Sequence, residues 1–220
     1  NQLRKSVPNL LEGYSKWKAE NKPDKKTYLL LHTYWKEGWG IHKLAEEYGI
    51  DKSEILTTHV CKECGGYEVK KYENEEQNCP HCSREKSQVT TSVGCGVRES
   101  QLNEIYNFMD VYCHPFTSGG QEIPIQEAKL TELITLVTNY SCGEESCEEG
   151  SGSIPLKWTE YREHQTEFKK ASTCPDSIAE GIEAVYRMAP DEKTEIEKMS
   201  KKWAIDNFSV EVIGKFFEDF

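Results

Sequence analysis

Apolar positions along this chain change period repeatedly, and each change marks an element. After Ser6-Val7-Pro8, a helix start with proline near its first turn, Leu10, Leu11, Tyr14 and Trp17 fall on one helical face, which predicts a helix to about Glu20. Thr27 to His32 reads as a buried strand, Ile41 to Tyr48 as an amphipathic helix ended by Gly49, and Ile55 to Val60 as a second strand. Past an interruption, the pattern predicts a short strand at Ser92-Val93, a helix over Ser100 to Met109 and a strand over Asp110 to His114. A helix over Ile123 to Glu132 and a strand over Leu133 to Thr138 follow. Further on, a strand around Glu167 to Lys170 precedes helices near Pro175 to Met188, Asp191 to Asp206 and Ser209 to Phe220. Trp203, Phe208, Phe216 and Phe217 on the last two form an aromatic stripe of core or interdomain packing. This alternation predicts an α/β fold, a Rossmann-like parallel sheet with helices on both faces, whose ligands bind beyond the carboxyl ends of the strands.

One such strand end carries the most specific chemistry. Asp110 to His114 is followed by Ser118-Gly119-Gly120, which lets the backbone turn tightly and bring its N–H groups to a helix start, a place for a diphosphate. Farther into that helix, Glu127 is placed to accept hydrogen bonds from the two hydroxyls of a ribose. His114 beside Pro115 reads as a hydrogen-bonded packing residue.

The stretch resembles the donor-binding signature of the GT-B glycosyltransferases, in the large, mostly retaining group that includes many bacterial sugar transferases. Asp110-Val111, Pro115, Ser118, Gly120, Pro124, Glu127 and Ala128 match in register, and Val137-Thr138-Asn139 stands where the family's next strand ends. The family's Glu-x7-Glu pair would put its first glutamate at position 119, where this chain has Gly119, and Glu122 is the nearby substitute. Asn1 to Lys5, followed by Ser6 to Leu11, resembles the family's segment after the first strand of the donor domain, so the resemblance implies Arg4 and Lys5 as catalytic ligands of the diphosphate. It further implies that Gly119, Gly120, Gln121 and Glu122 hold phosphate and sugar, Glu127 orients the ribose, and sugar passes from a UDP- or GDP-linked donor to an acceptor with retention. The chain would then be the donor domain over residues 1–220, with an N-terminal acceptor domain missing and its terminal helices packing toward that domain. A local cation pair also suits a chain of net charge −11, which needs one to hold a dianionic group.

The interruption holds a second signal. Cys61 and Cys64, then Cys79 and Cys82 after fourteen intervening residues, form two Cys-x-x-Cys knuckles at the separation of a four-thiolate zinc ribbon, here an insertion over residues 60–88. Gly65 relieves a positive-φ turn that points backbone N–H groups at sulfur. Four thiolates close a tetrahedron, so the metal would be structural, with His81 pointing away; disulfides are the competing reading of the same spacing. Cys95, Cys113, Cys142, Cys147 and Cys174 remain, most of them read as buried thiols, with a second metal or a redox pair at Cys142 and Cys147 as the alternative.

Composition narrows the partners. Hydrophobic residues make up 36% and charged residues 30%, and no apolar run approaches the roughly 18 residues of a membrane span. Residues 61–90 carry five basic against six acidic side chains, a balance that argues against nucleic acid as the ribbon's partner. With no secretion signal and paired thiols, a reducing, cytoplasmic setting is expected. Two alternatives stand beside the transferase: a nucleotide-binding protein without transfer, and a zinc-ribbon interaction protein with an unrelated α/β body.

Overall fold

Leu11, Tyr14 and Trp17, the apolar face expected of the first helix, are buried along α1 (Val7–Asn21), which follows a short 3-10 turn at Leu3–Lys5. The structure is a computed structural model and describes residues 2–218. By internal contacts the chain forms two units, Asn1–Leu3 with Lys18–Phe108, and Arg4–Trp17 with Met109–Phe220. The fold is mixed α/β with parallel strands and helices, as the alternation requires.

In the first unit, β1 (Leu29–Leu31) lies parallel to β2 (Ile55–Cys61), with Leu29 opposite Ile55 and Leu31 opposite Thr57. Between them α2 (Ile41–Glu47) buries Ile41 and Ala45. It stops at Gly49, whose φ of +66° lets the Ile50 amide reach back 2.8 Å to the Ala45 carbonyl and the Gly49 amide reach the Glu46 carbonyl. The other two strands, β3 (Tyr67–Lys71) and β4 (Gln88–Thr90), both run antiparallel to β2, and α3 (Glu99–Asn107) follows them. Since β3 takes one edge of β2 from Leu56 to Val60, β1 and β4 share the other edge, one pairing its start and the other its end. The cysteine-bearing hairpins therefore grow directly out of a strand of the parallel pair.

The second unit has a three-stranded parallel sheet. Its order is β5 (Val111–His114), β6 (Ile134–Thr138), β7 (Ser153–Leu156), with α4 (Ile123–Leu130) crossing from β5 to β6 and the short α5 (Gly143–Ser146) from β6 to β7. A hairpin of β8 (Trp158–Arg162) and β9 (Lys169–Thr173) leads to α6 (Pro175–Arg187), α7 (Pro190–Phe208) and α8 (Val210–Glu218). Every residue of β6 is buried, as expected of a central strand covered on both faces. Ile134 and Leu136 pack with Ile178 and Val185 of α6, while Val137, pointing the other way, packs with Phe116 and with Ile125 of α4. Gly13 brings α1 close to α6: a Cβ there would lie 2.6 Å from Ile178 and 2.9 Å from the Pro175 carbonyl.

Several expected boundaries move. The strand expected at Ser92-Val93 is instead β4, because Gln88, Val89 and Thr90 pair with β2 and are buried, whereas Ser92 makes only an isolated bridge with Cys95 and Val93 is fully exposed. The strand expected near Glu167 is the return arm of the hairpin, with Glu167 itself in the turn at φ 58°. β3, β7 and β8, too short or too polar to announce themselves, carry no expectation. The helix expected over 209–220 runs Val210–Glu218; Asn1, Asp219 and Phe220 lie outside the described residues. No described helix is long and apolar enough to cross a membrane.

Candidate functional site

The loop after β5 is held on both sides by backbone. Thr117 donates its amide to the Arg4 carbonyl at 2.9 Å and accepts from the Ala171 amide of β9, also at 2.9 Å. The Phe116 amide donates to Thr138 Oγ1 at the end of β6, and its ring is fully buried. These bonds set the 3-10 turn against the N-terminal end of α4, where Ile125 donates back to the carbonyl of Glu122.

Glu122 occupies the N-cap position of α4, yet its carboxylate caps no helix amide. Only 1% exposed, it instead receives Arg4 Nη1 on Oε1 and Lys5 Nζ on Oε2, with His114 Nε2 2.9 Å from Oε2. Lys5 Nζ also lies 3.4 Å from His114 Nε2, and the Tyr112 hydroxyl 2.9 Å from His114 Nδ1. These contacts assign the tautomer: Nε2–H donates to Glu122 and Nδ1 accepts from Tyr112.

Burial by itself would raise the Glu122 pKa, but the hydrogen bonds from His114 and Lys5, with the charge of Lys5 and that of His114 once acid protonates it, outweigh burial and bring the group to about 2. Burial lowers Lys5, an effect that Glu122 partly offsets, and burial likewise keeps His114 below its ordinary value. At neutral pH Glu122 is therefore a carboxylate and His114 a neutral imidazole, with the Arg4 and Lys5 side chains on the two carboxylate oxygens. Arg4 keeps 42% of its side chain exposed and Lys5 24%, so both present surface to a ligand while Glu122 does not.

The residues singled out by sequence fall in graded positions. Arg4, Lys5, Gly119 and Glu122 come together, and a Cβ built on Gly119 would lie 2.5 Å from Glu122 Oε1. Gly120 and Gln121 are exposed at the lip of the turn, with open space around a Cβ on Gly120, and Ser141 Oγ donates to the Gly119 carbonyl at 2.8 Å. Glu127 is half-buried on the second turn of α4. His114 and Tyr112 are the members that sequence reasoning left out of the site; the available signal was their alternation on one face of a strand that ends at the turn.

A second cluster stands in the first unit. The sulfurs of Cys61, Cys64, Cys79 and Cys82 all lie within 4.8 Å of one another, and Cys61–Cys82 and Cys64–Cys79 are each 3.7 Å apart. Metal–sulfur bonds of about 2.3 Å in a regular tetrahedron require sulfur separations of about 3.8 Å, so the four donors fit a zinc-sized ion. No disulfide joins them; all nine cysteines are free thiols. Gly65 has a φ of +69°, and the amides of Glu63, Cys64 and Gly66 point at sulfur over 3.4–3.5 Å. Burial opposes ionisation of Cys61, but Ser87 and the Cys64 and Glu63 amides outweigh it and bring its thiol down to about 6. His81 stays outside the cluster, with its ring over Gly66.

Fold and site together define a class, an α/β protein with a Rossmann-like parallel sheet and a cationic strand-end turn. No protein-family model matches the chain, and no curated protein sequence does. Among solved structures, a glycosyltransferase from Rickettsia africae ESF-5 shares the fold over the whole of this chain, with a TM-score of 0.63 and 12% identity. The chain spans 45% of the length of that protein.

Proposed function

We propose that this chain, through both of its units, is the Rossmann-like donor-nucleotide domain of a GT-B glycosyltransferase of the retaining type over residues 1–220, with a zinc ribbon inserted at 60–88. The observation that carries this reading is the convergence of Arg4 and Lys5 on the N-terminal end of α4, beside the Gly119-Gly120 turn, in a fold shared with a glycosyltransferase. A helix N-terminus and two partly exposed cations attract a dianionic group.

The donor in this reading is a UDP- or GDP-linked sugar. Arg4 and Lys5 bind its diphosphate and stabilise the charge that grows on the leaving group as the glycosidic bond breaks. Backbone groups from Gly119 to Gln121 hold phosphate and sugar, and Glu127 orients the ribose. The acceptor and the rest of the active site belong to an N-terminal acceptor domain. Zinc on Cys61, Cys64, Cys79 and Cys82 is structural, since four thiolates leave no open position for a substrate. The free thiols suit a cytoplasmic setting.

One observation favours a second reading, a nucleotide-binding protein without transfer. Position 119 carries no carboxylate, and that of Glu122 is already engaged by three partners, which leaves little of it to accept from a sugar hydroxyl. Calorimetric and thermal-shift titration with UDP, GDP, ADP and CMP tests the shared premise. Selective binding of one diphosphate, weakened by Lys5→Ala and by Glu127→Ala, is the expected result, and no binding by folded, zinc-loaded protein overturns it. Donor hydrolysis or transfer by the full-length protein separates the two readings.

A further inference from the structure

His114 is buried at the centre of a charge cluster although a packing residue there needs no titratable ring. The groups that face it come from every element around it. Glu122 approaches from the N-cap of α4, Lys5 and Arg4 from the 3-10 turn, and Tyr112 from β5 itself. Cys142, just ahead of α5, interacts electrostatically with both Lys5 and Glu122, and the Phe116 ring closes the apolar side at 5.6 Å. Burial is the largest influence against protonation of the imidazole; the Lys5 and Arg4 charges add to it, and Glu122 favours protonation.

We propose that diphosphate binding at this cluster is coupled to protonation of His114, so that the site binds its anion more tightly as pH falls. The inference rests on the diphosphate reading of Arg4 and Lys5. Burial remains the largest opposition to protonation, but a dianion seated on those two side chains offsets the share that the cations contribute, while Glu122, 2.9 Å from Nε2, continues to favour the imidazolium. One proton then passes from solvent to Nδ1. Only the Tyr112 hydroxyl has to reorient, from donating to Nδ1 to accepting from it across the same 2.9 Å. The protonated ring donates to Glu122 from Nε2 and to Tyr112 from Nδ1, so no polar atom of the ring loses a partner. In the absence of ligand, burial holds His114 below its ordinary 6.5, so the unliganded ring is neutral at pH 7.

The test is calorimetric titration of the protein with UDP-glucose and GDP-mannose from pH 6 to pH 8 in buffers of different ionisation heat. These donors suit it because a diphosphate diester exchanges no proton in that range, whereas the terminal phosphate of a free nucleotide titrates near pH 6. The expected result is uptake of up to one proton per ligand, with Kd falling by as much as about tenfold per pH unit. His114→Gln, which keeps an N–H for Glu122, is expected to bind with a pH-independent Kd. Binding of either donor with no proton uptake overturns the coupling and leaves the diphosphate site standing. Uptake that persists in His114→Gln overturns the assignment to this residue. No binding of either donor, nor of UDP or GDP, overturns the diphosphate reading and the coupling with it.

Discussion

The carboxylate of Glu122 fills the space into which a side chain at Gly119 would point, 2.5 Å from an ideal Cβ at that position. Three residues apart in sequence, the two share one volume, and the glycine is required there because Glu122 reaches back to meet Arg4, Lys5 and His114. Gly119→Ala should therefore displace a carboxylate held by three partners, not merely crowd a loose side chain. We expect a loss of about 1–3 kcal/mol in denaturant unfolding. In a Glu122→Ala background the same substitution should lose most of its effect, because the clash is then gone. A double-mutant cycle with no coupling between the two positions would contradict the shared volume.

Glu122 also sets an acid limit on stability. Its folded pKa of about 2 lies below the ordinary 4.5, so its contribution is fully present above pH 4.5 and is lost as pH falls toward 2. The stabilisation above pH 4.5 is on the order of 3 kcal/mol. Glu122→Gln should be less stable than the parent at pH 6, and the gap should close between pH 4.5 and pH 2. A gap that stays constant through that range would show that the carboxylate is not the source of the difference.

The turn motif and the cysteine knuckles were legible because each packs its chemistry into a few contiguous residues. The Cys-x-x-Cys pairs build their geometry locally, around Gly65 at φ +69°, whereas Gly119 and Gly120 have no positive φ and their loop is held by distant Arg4 and Ala171. The longer helices were legible as well, since the buried face of α1 or α6 repeats at helical spacing, whereas the four-residue α5 carries no such repeat. Strands β7 and β8 were not, because Ser153 to Leu156 and Trp158 to Arg162 mix polar and apolar residues in runs of four or five, and their identity comes from partners far along the chain. The role of His114 was hidden for the same reason: its neighbours Arg4 and Lys5 lie more than a hundred residues away in sequence. Pairing of the Glu122 carboxylate with both cations was likewise a tertiary outcome, and no local pattern encodes it.

Metal removal tests how far the ribbon is built into the sheet. Because β4 and β1 share an edge of β2, loss of an ion from Cys61, Cys64, Cys79 and Cys82 should disturb the strand that also pairs with β1. We expect one zinc per chain by elemental analysis and a lowered Tm after chelation, restored by zinc. Cys79→Ser should abolish stoichiometric zinc and lower Tm by a similar amount. In hydrogen exchange, the amides of Leu56 and Val60 should lose protection together on zinc removal. If exchange speeds up only between residues 62 and 87, the ribbon is an appendage and the shared strand holds without it.

Lys129 carries the last test, on the opposite side of the pH scale. Its side chain is fully buried on α4, donating to the Ser151 carbonyl and to Ser153 Oγ at 2.7 Å, with its ammonium 4.8 Å from the centre of the Trp203 ring. Burial depresses its pKa from 10.5 to about 8. The native state therefore gives up this proton before the unfolded chain does. Between pH 8 and 10.5 the unfolded state binds more protons at this site, so the Lys129 contribution to stability rises with pH, and the desolvation penalty is fully present only below pH 8. Two partly buried thiols act the other way in the same range: desolvation pushes Cys113 and Cys147 up to about 12, so their unfolded forms ionise first and favour unfolding. The two effects separate when parent and Lys129→Met are compared at each pH. The parent should gain on the variant by on the order of 2–3 kcal/mol from pH 8 to pH 10.5. A difference that does not change over that interval would mean that the buried ammonium keeps its proton at an ordinary pKa.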